Sequence, residues 1–178
     1  MMRDDLQRDE YIALLERFFG YVAPWEEAVA VCLPASLKTF FDERRKAHLL
    51  SADLDELTGE RRLPGTVSHA DVAYDLLRLD TLGAAFGSMY VMEGSTLGGR
   101  FIAPHVAQLL KLEAGKGNAY FDGYGPCTGS MWNAFREKTN ATVPESQYDD
   151  AVRAAIATFE TMQAWLCPEL QDSPGVDA

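Results

Sequence analysis

The run Met89-Tyr90-Val91-Met92-Glu93-Gly94-Ser95-Thr96-Leu97-Gly98-Gly99-Arg100-Phe101-Ile102-Ala103-Pro104-His105 reads as a helix, yet Gly94, Gly98 and Gly99 sit inside it. Each interior Gly costs about 1 kcal/mol relative to Ala. A helix that accepts three of them within six positions gains something in return. Gly94 and Gly98 are four residues apart and share one face. That face carries no side chains, so a flat object could meet the backbone directly. The object could be another helix or a cofactor plane. Upstream, Gly83 and Gly87, with Ala84 and Ala85, continue the small-residue face.

The remaining pattern is helical as well. Tyr11, Leu14, Leu15, Phe18, Phe19, Val22 and Trp25 form an apolar stripe within a helix over 6–32, which Pro24 is expected to kink or split. A second helix is expected over 37–50, with Phe40 and Phe41 inward and Asp42 to Arg45 mostly outward. An acidic segment runs from Ser51 to Gly59, and a connector with Pro64 and Gly65 follows. Ser68-His69-Ala70-Asp71 has capping-box character and opens a short helix. Asp80 is the expected N-cap of the Gly-bearing helix, which should run from about Thr81 to about Leu112 and bend at its glycines and near Pro104. Residues 113–130 read as loop, with two exposed tyrosines. Residues 131–138 read as a short helix. Thr142-Val143-Pro144-Glu145 reads as a capping box for a last helix ending near Leu166. No strand alternation or internal repeat appears. The fold class is therefore all-α, a bundle of about six to eight helices in one domain over 1–170, with a disordered tail over 171–178.

Bulk properties narrow the function. The chain has 178 residues and a net charge of -11, which disfavours nucleic acid and anionic membrane as partners of the whole surface. A local basic pocket stays open among Arg44, Arg45, Lys46, Arg100 and Arg136. Cys32, Cys127 and Cys167 are widely spaced, without metal-binding spacing, and suggest reduced thiols in the cytoplasm. No apolar signal core and no membrane-length run appears. Nor is there a Ser-His-Asp set, a P-loop or a metal-carboxylate motif. Glu93 reads as a group that hydrogen-bonds behind the site or between helices rather than an acid-base catalyst.

From Tyr90 to Arg100 the sequence resembles the distal-helix signature of bacterial haem oxygenases, most closely the subgroup associated with bacteriophytochromes. Arg8-Asp9-Glu10-Tyr11, Pro24-Trp25-Glu26, the run Arg44 to Leu54, and the segment from Tyr120 to Phe135 resemble the same subgroup. The resemblance spans about residues 6–165. It implies a haem-oxygenase-like multi-helix bundle with a long Gly-kinked distal helix. It implies oxidative cleavage of haem to biliverdin, with release of iron and carbon monoxide, using O2 and electrons from a reductase, ferredoxin or ascorbate. A bacteriophytochrome is an implied partner for the bilin.

Carried onto this sequence, the resemblance puts Gly94 and Gly98 against the haem plane. Ser95 would stand near the iron-bound ligand and its water, and Gly99 where the helix bends. The catalytic set is then Gly94, Ser95 and Gly98. Gly99 and Arg136 join them in binding, Arg136 by pairing with a propionate. Its competing reading is a surface Arg paired with Glu137. Trp132 and Phe135 could pack on a porphyrin edge, although such a pair is more often core. The family's proximal His belongs to a first helix, roughly twenty residues before Tyr11 and about six turns of helix-equivalent sequence away. That helix is expected to be lacking here, and the iron ligand stays unknown. His48 reads as solvated, His69 as local to its capping box, and His105 as belonging to the distal helix. The alternative to the enzyme is a non-catalytic tetrapyrrole binder, or a helix-packing interaction protein, on the same fold.

Overall fold

The computed structural model describes residues 5–59, 70, 77–113 and 115–167. The connector over 61–67, most of the capping box containing His69, and the tail over 171–178 lie outside the described residues. Among those described, the secondary structure is helical and no strand occurs. The described residues form seven α-helices: α1 (Arg8–Cys32), α2 (Ala35–Asp42), α3 (Ala47–Thr58), α4 (Leu82–Leu110), α5 (Ala119–Asp122), α6 (Thr128–Thr142) and α7 (Tyr148–Leu166). Short 3-10 turns at Gly125–Cys127 and Glu145–Gln147 precede α6 and α7.

Helix α1 opens where the Gln7 N–H donates to Glu10 Oε2 at 2.8 Å. It is not split by Pro24. An interior Pro costs about 3 kcal/mol in a helix. Here it is flanked by buried Tyr21, Val22, Trp25 and Glu26, whose packing offsets that cost. The Trp25 indole also donates to Ser88 Oγ on α4 at 2.8 Å.

The helix expected over 37–50 is two helices, α2 and α3, broken at 43–46. The reason is electrostatic. Arg44 and Lys46 turn inward and are buried, 5% and 7% exposed, instead of facing solvent as the charge run suggested. Glu26 of α1 then caps the first turn of α3, its Oε1 accepting the Lys46 and Ala47 backbone N–H groups. The acidic segment 51–59 belongs to α3, which ends at Gly59 with φ +71°.

In α4 the N-cap is Thr81, not Asp80. Thr81 Oγ1 accepts the Ala84 N–H at 3.1 Å. The expected loop at 113–130 contains α5, because the buried Asp53 carboxylate accepts the Ala119 and Tyr120 N–H groups, both at 2.8 Å. Tyr120 is buried and Tyr124 half-buried, so neither is the exposed residue expected. Helix α6 exceeds its expected span at both ends. Thr142 is the last residue of α6 rather than a cap, and the N-cap of the following turn is Pro144, without a side-chain bond. One apolar core joins these elements, built on Tyr11, Leu15, Phe41, Leu50, Phe86, Met89 and Phe135.

Candidate functional site

The glycines of α4 sort by what a side chain would meet. A Cβ on Gly83 would lie 2.3 Å from the Gln147 carbonyl oxygen, and one on Gly87 would lie 2.0 Å from that of Ala151. Gly83 lets the backbone of α4 touch the turn before α7, and Gly87 lets it touch α7. A Cβ on Gly99 would lie 2.0 Å from the Phe121 carbonyl oxygen. Gly99, expected where the helix bends and among the binding residues, is buried and serves the packing of α4 on α5. Gly94 and Gly98 differ. A Cβ on Gly94 would meet only Trp132, at an ordinary 3.7 Å, and one on Gly98 would meet nothing within 4 Å.

An open strip follows. Tyr90, Gly94, Gly98 and Phe101 succeed one another on one face of α4. Tyr90 is 51% and Phe101 72% exposed. A bare backbone bracketed by two exposed aromatic rings suits a flat apolar ligand. Ser95 is exposed beside the strip, with its hydroxyl donating to Met92 O at 2.8 Å. Its oxygen lone pairs stay available to accept from water.

On the flank, Trp132 of α6 lies against Tyr90, with ring centroids 5.0 Å apart. Trp132 stacks in turn on Phe135, at 5.9 Å and 20°. Phe135 is fully buried against Phe86, so the two residues divide the work: Phe135 is core and Trp132 reaches the strip. Arg136 is one turn after Trp132 on the same face of α6. It is exposed and forms no ion pair among the described residues, so the pairing with Glu137 is not made.

Behind the strip lies a buried polar cluster that brings Glu93, read from sequence as a hydrogen-bonding group, together with Arg44, Lys46 and Tyr124. Glu93 Oε1 accepts from Lys46 Nζ and from the Tyr124 hydroxyl, both at 2.7 Å. Lys46 Nζ also donates to Tyr124 Oη at 2.9 Å and to Arg44 O at 3.1 Å, so its three N–H groups are all engaged. Arg44 Nε stands 3.6 Å from Glu93 Oε2, and its guanidinium lies 3.7 Å over the Phe40 ring. Burial lowers the Lys46 ammonium from its usual range, while the Glu93 carboxylate opposes that shift. Burial and the Glu93 carboxylate both raise the Tyr124 phenol. The cluster ties the α2–α3 break and the turn before α6 to α4 at the residue preceding Gly94. Its sequence traces are the basic pocket left open among Arg44, Arg45 and Lys46 and the reading of Glu93 as an interhelical hydrogen-bonding group.

A cavity of about 120 Å³ lies next to Ser95, between Thr96, Gly99, Phe18, Lys46 and Met162.

A family model for haem oxygenase matches residues 1–167. The chain belongs to the haem oxygenase family. No curated protein matches the chain. The all-α architecture is that of the family, and the family implies haem as the ligand.

An open backbone at Gly98, exposed rings at both ends of the strip and, among the described residues, an Arg136 without an ion pair are the features of this haem oxygenase family member that suit a flat ligand carrying acidic groups. No iron ligand is assigned among the described residues. His105 belongs to α4 itself, and His48 is exposed at the start of α3. No group of three or more His, Cys, Asp or Glu among the described residues could hold a metal ion. Among the described residues no helix is long and apolar enough to cross a membrane.

Proposed function

We propose that the protein binds haem on the open strip of α4 and oxidises it to biliverdin, releasing iron and carbon monoxide, with O2 and an external electron donor. The observation that carries this is the contrast at Gly98, an interior helix glycine whose missing side chain no protein atom replaces. Haem supplies both the iron that binds O2 and the ring that is opened. The chain contributes orientation and exclusion. The bare backbone at Gly94 and Gly98 forms a flat wall that restricts how a small molecule can tilt above the ring. Ser95 stands at the edge of that wall, where it can order water for proton supply. Arg136 is the cation on the flank that pairs with a propionate. The bilin product would serve a bacteriophytochrome, and the reaction would take place in the cytoplasm. Membership in the family supports the substrate.

Non-catalytic tetrapyrrole binding on the same strip is the second reading. What favours it is that, of the two described His, His105 belongs to α4 itself and His48 is exposed at the start of α3. A haem titration followed by absorbance, then ascorbate in air, separates the two. A Soret band that decays to a biliverdin spectrum supports the enzyme. A stable band supports the binder. No band, with the fold intact, overturns both.

A further inference from the structure

Resting on that reading of the strip, we propose that Trp132 is a specificity-determining residue, an end stop that fixes how far a flat ligand lies along α4. The strip from Tyr90 to Phe101 covers roughly 16 Å of helix axis, at 1.5 Å per residue. Its two glycines are not equivalent. At Gly94 the outer edge of the Trp132 indole already occupies the flank, its Cη2 and Cζ3 atoms 3.7 and 3.8 Å from the position of an added Cβ. At Gly98 the corresponding space is empty.

Trp132 is well placed to resist displacement. It is half-buried, its ring stacks on fully buried Phe135, and that ring stacks in turn on fully buried Phe86. On its other side Tyr90 packs against it at 5.0 Å. The column therefore runs from the core to the Tyr90 end of the strip and closes that end. A planar ligand pressed on α4 slides until it meets the indole edge and comes to rest over Gly98. The stop thereby selects one seating along the strip. Seating decides which edge of the ring faces the Gly98 backbone, and hence which edge is open to attack.

The test uses gallium protoporphyrin IX, which is planar and inert to O2, added to the isotope-labelled full chain. Amide resonances of Gly94 and Gly98 report the ring position through its ring current. In the wild type the Gly98 amide shifts at least twice as far as that of Gly94. Trp132→Ala reverses that order. Trp132→Phe keeps a ring on Phe135 but lacks the atoms that reach Gly94, and it shifts the balance in the same direction by less. Phe is also the milder change should the Ala variant fold poorly. An unchanged order in both variants overturns the stop while leaving the strip as a ligand face. Absence of any shift at either glycine of the wild type overturns the strip itself, and the stop with it.

Discussion

At Gly83 and Gly87 the backbone of α4 is covered by the backbone of the turn before α7 and of α7 itself; at Gly94 and Gly98, further along the same face, neither covers it. The four glycines share one spacing rule, and spacing alone makes them one feature. The path of α7 separates them. After meeting Gly87 through Ala151, α7 brings Thr158 to Ser88, with the two hydroxyls 2.7 Å apart. Ser88 lies about 100° around the helix from Gly87. Helix α7 thus crosses α4 obliquely and leaves the Gly94–Gly98 face uncovered. An interior glycine marks either a helix that needs contact or a helix that keeps a place clear. Only the partner tells which.

Substitution at the closed half breaks the comparison most severely. Gly87→Val places a branched side chain where the Ala151 carbonyl already stands. Backbone cannot yield as a flexible side chain can, so the expected destabilisation exceeds about 3 kcal/mol and the folded state is lost. Circular dichroism and denaturant melts check this. A Gly87→Val chain that melts like the wild type would mean that α4 and α7 do not touch there.

The open half is anchored differently, by side chains. Lys46 and Glu93 hold α4 just before Gly94, where no neighbouring backbone does. Lys46→Met leaves the 3% exposed Glu93 without its ammonium partner and is expected to lower stability by about 3 kcal/mol. Adding Glu93→Gln removes the stranded charge, so the double variant should be more stable than the single. A double-mutant cycle on urea midpoints measures the coupling. Additive effects would show that the pair contributes nothing as a pair.

At the glycines of the open half, stability and binding should part company. Gly98→Leu meets no protein atom at its Cβ and improves helix propensity, so stability holds or rises by up to about 1 kcal/mol. Haem affinity falls at least about tenfold, or 1.4 kcal/mol, because the side chain fills the place kept for the ring. Gly94→Ala adds a methyl against Trp132 at ordinary contact distance and has the smaller effect on affinity. Haem titrations of both variants beside their melts decide the matter. Equal losses would place the ring evenly over both glycines.

The sequence showed the helical class, the long glycine-bearing helix and the end of α7 near Leu166, because apolar periodicity and Pro168 are local signals. It did not show the break at 43–46 or the short α5. Both depend on carboxylates distant in sequence, Glu26 for α3 and Asp53 for α5, whose role as caps exists only once the chain has folded. The division among the glycines was hidden for the same reason. Gly94, Ser95 and Gly98 could be named from their run, yet Gly99 beside them serves Phe121, and no spacing rule distinguishes it.

Those two capping carboxylates also provide the gentlest test of how far distant groups determine local structure. Burial raises the carboxyls of both Glu26 and Asp53 above their ordinary 4.5 and 3.8, against the lowering effect of the backbone N–H groups they accept. The native state therefore takes up these protons at higher pH than the unfolded chain does. Between the raised and the ordinary value, native protein holds more protons, so this contribution to stability grows as pH falls. It is fully present below the ordinary value and is lost as pH rises through the folded one. Asp53→Asn removes one of the two groups and puts an amide donor among the N–H groups of α5. The stability difference between wild type and Asp53→Asn should accordingly be larger at about pH 4 than at about pH 7. Urea unfolding at both values reads it directly. A difference that shrinks on acidification would mean that the N–H groups outweigh burial, and that Asp53 caps α5 as a carboxylate more acidic than usual.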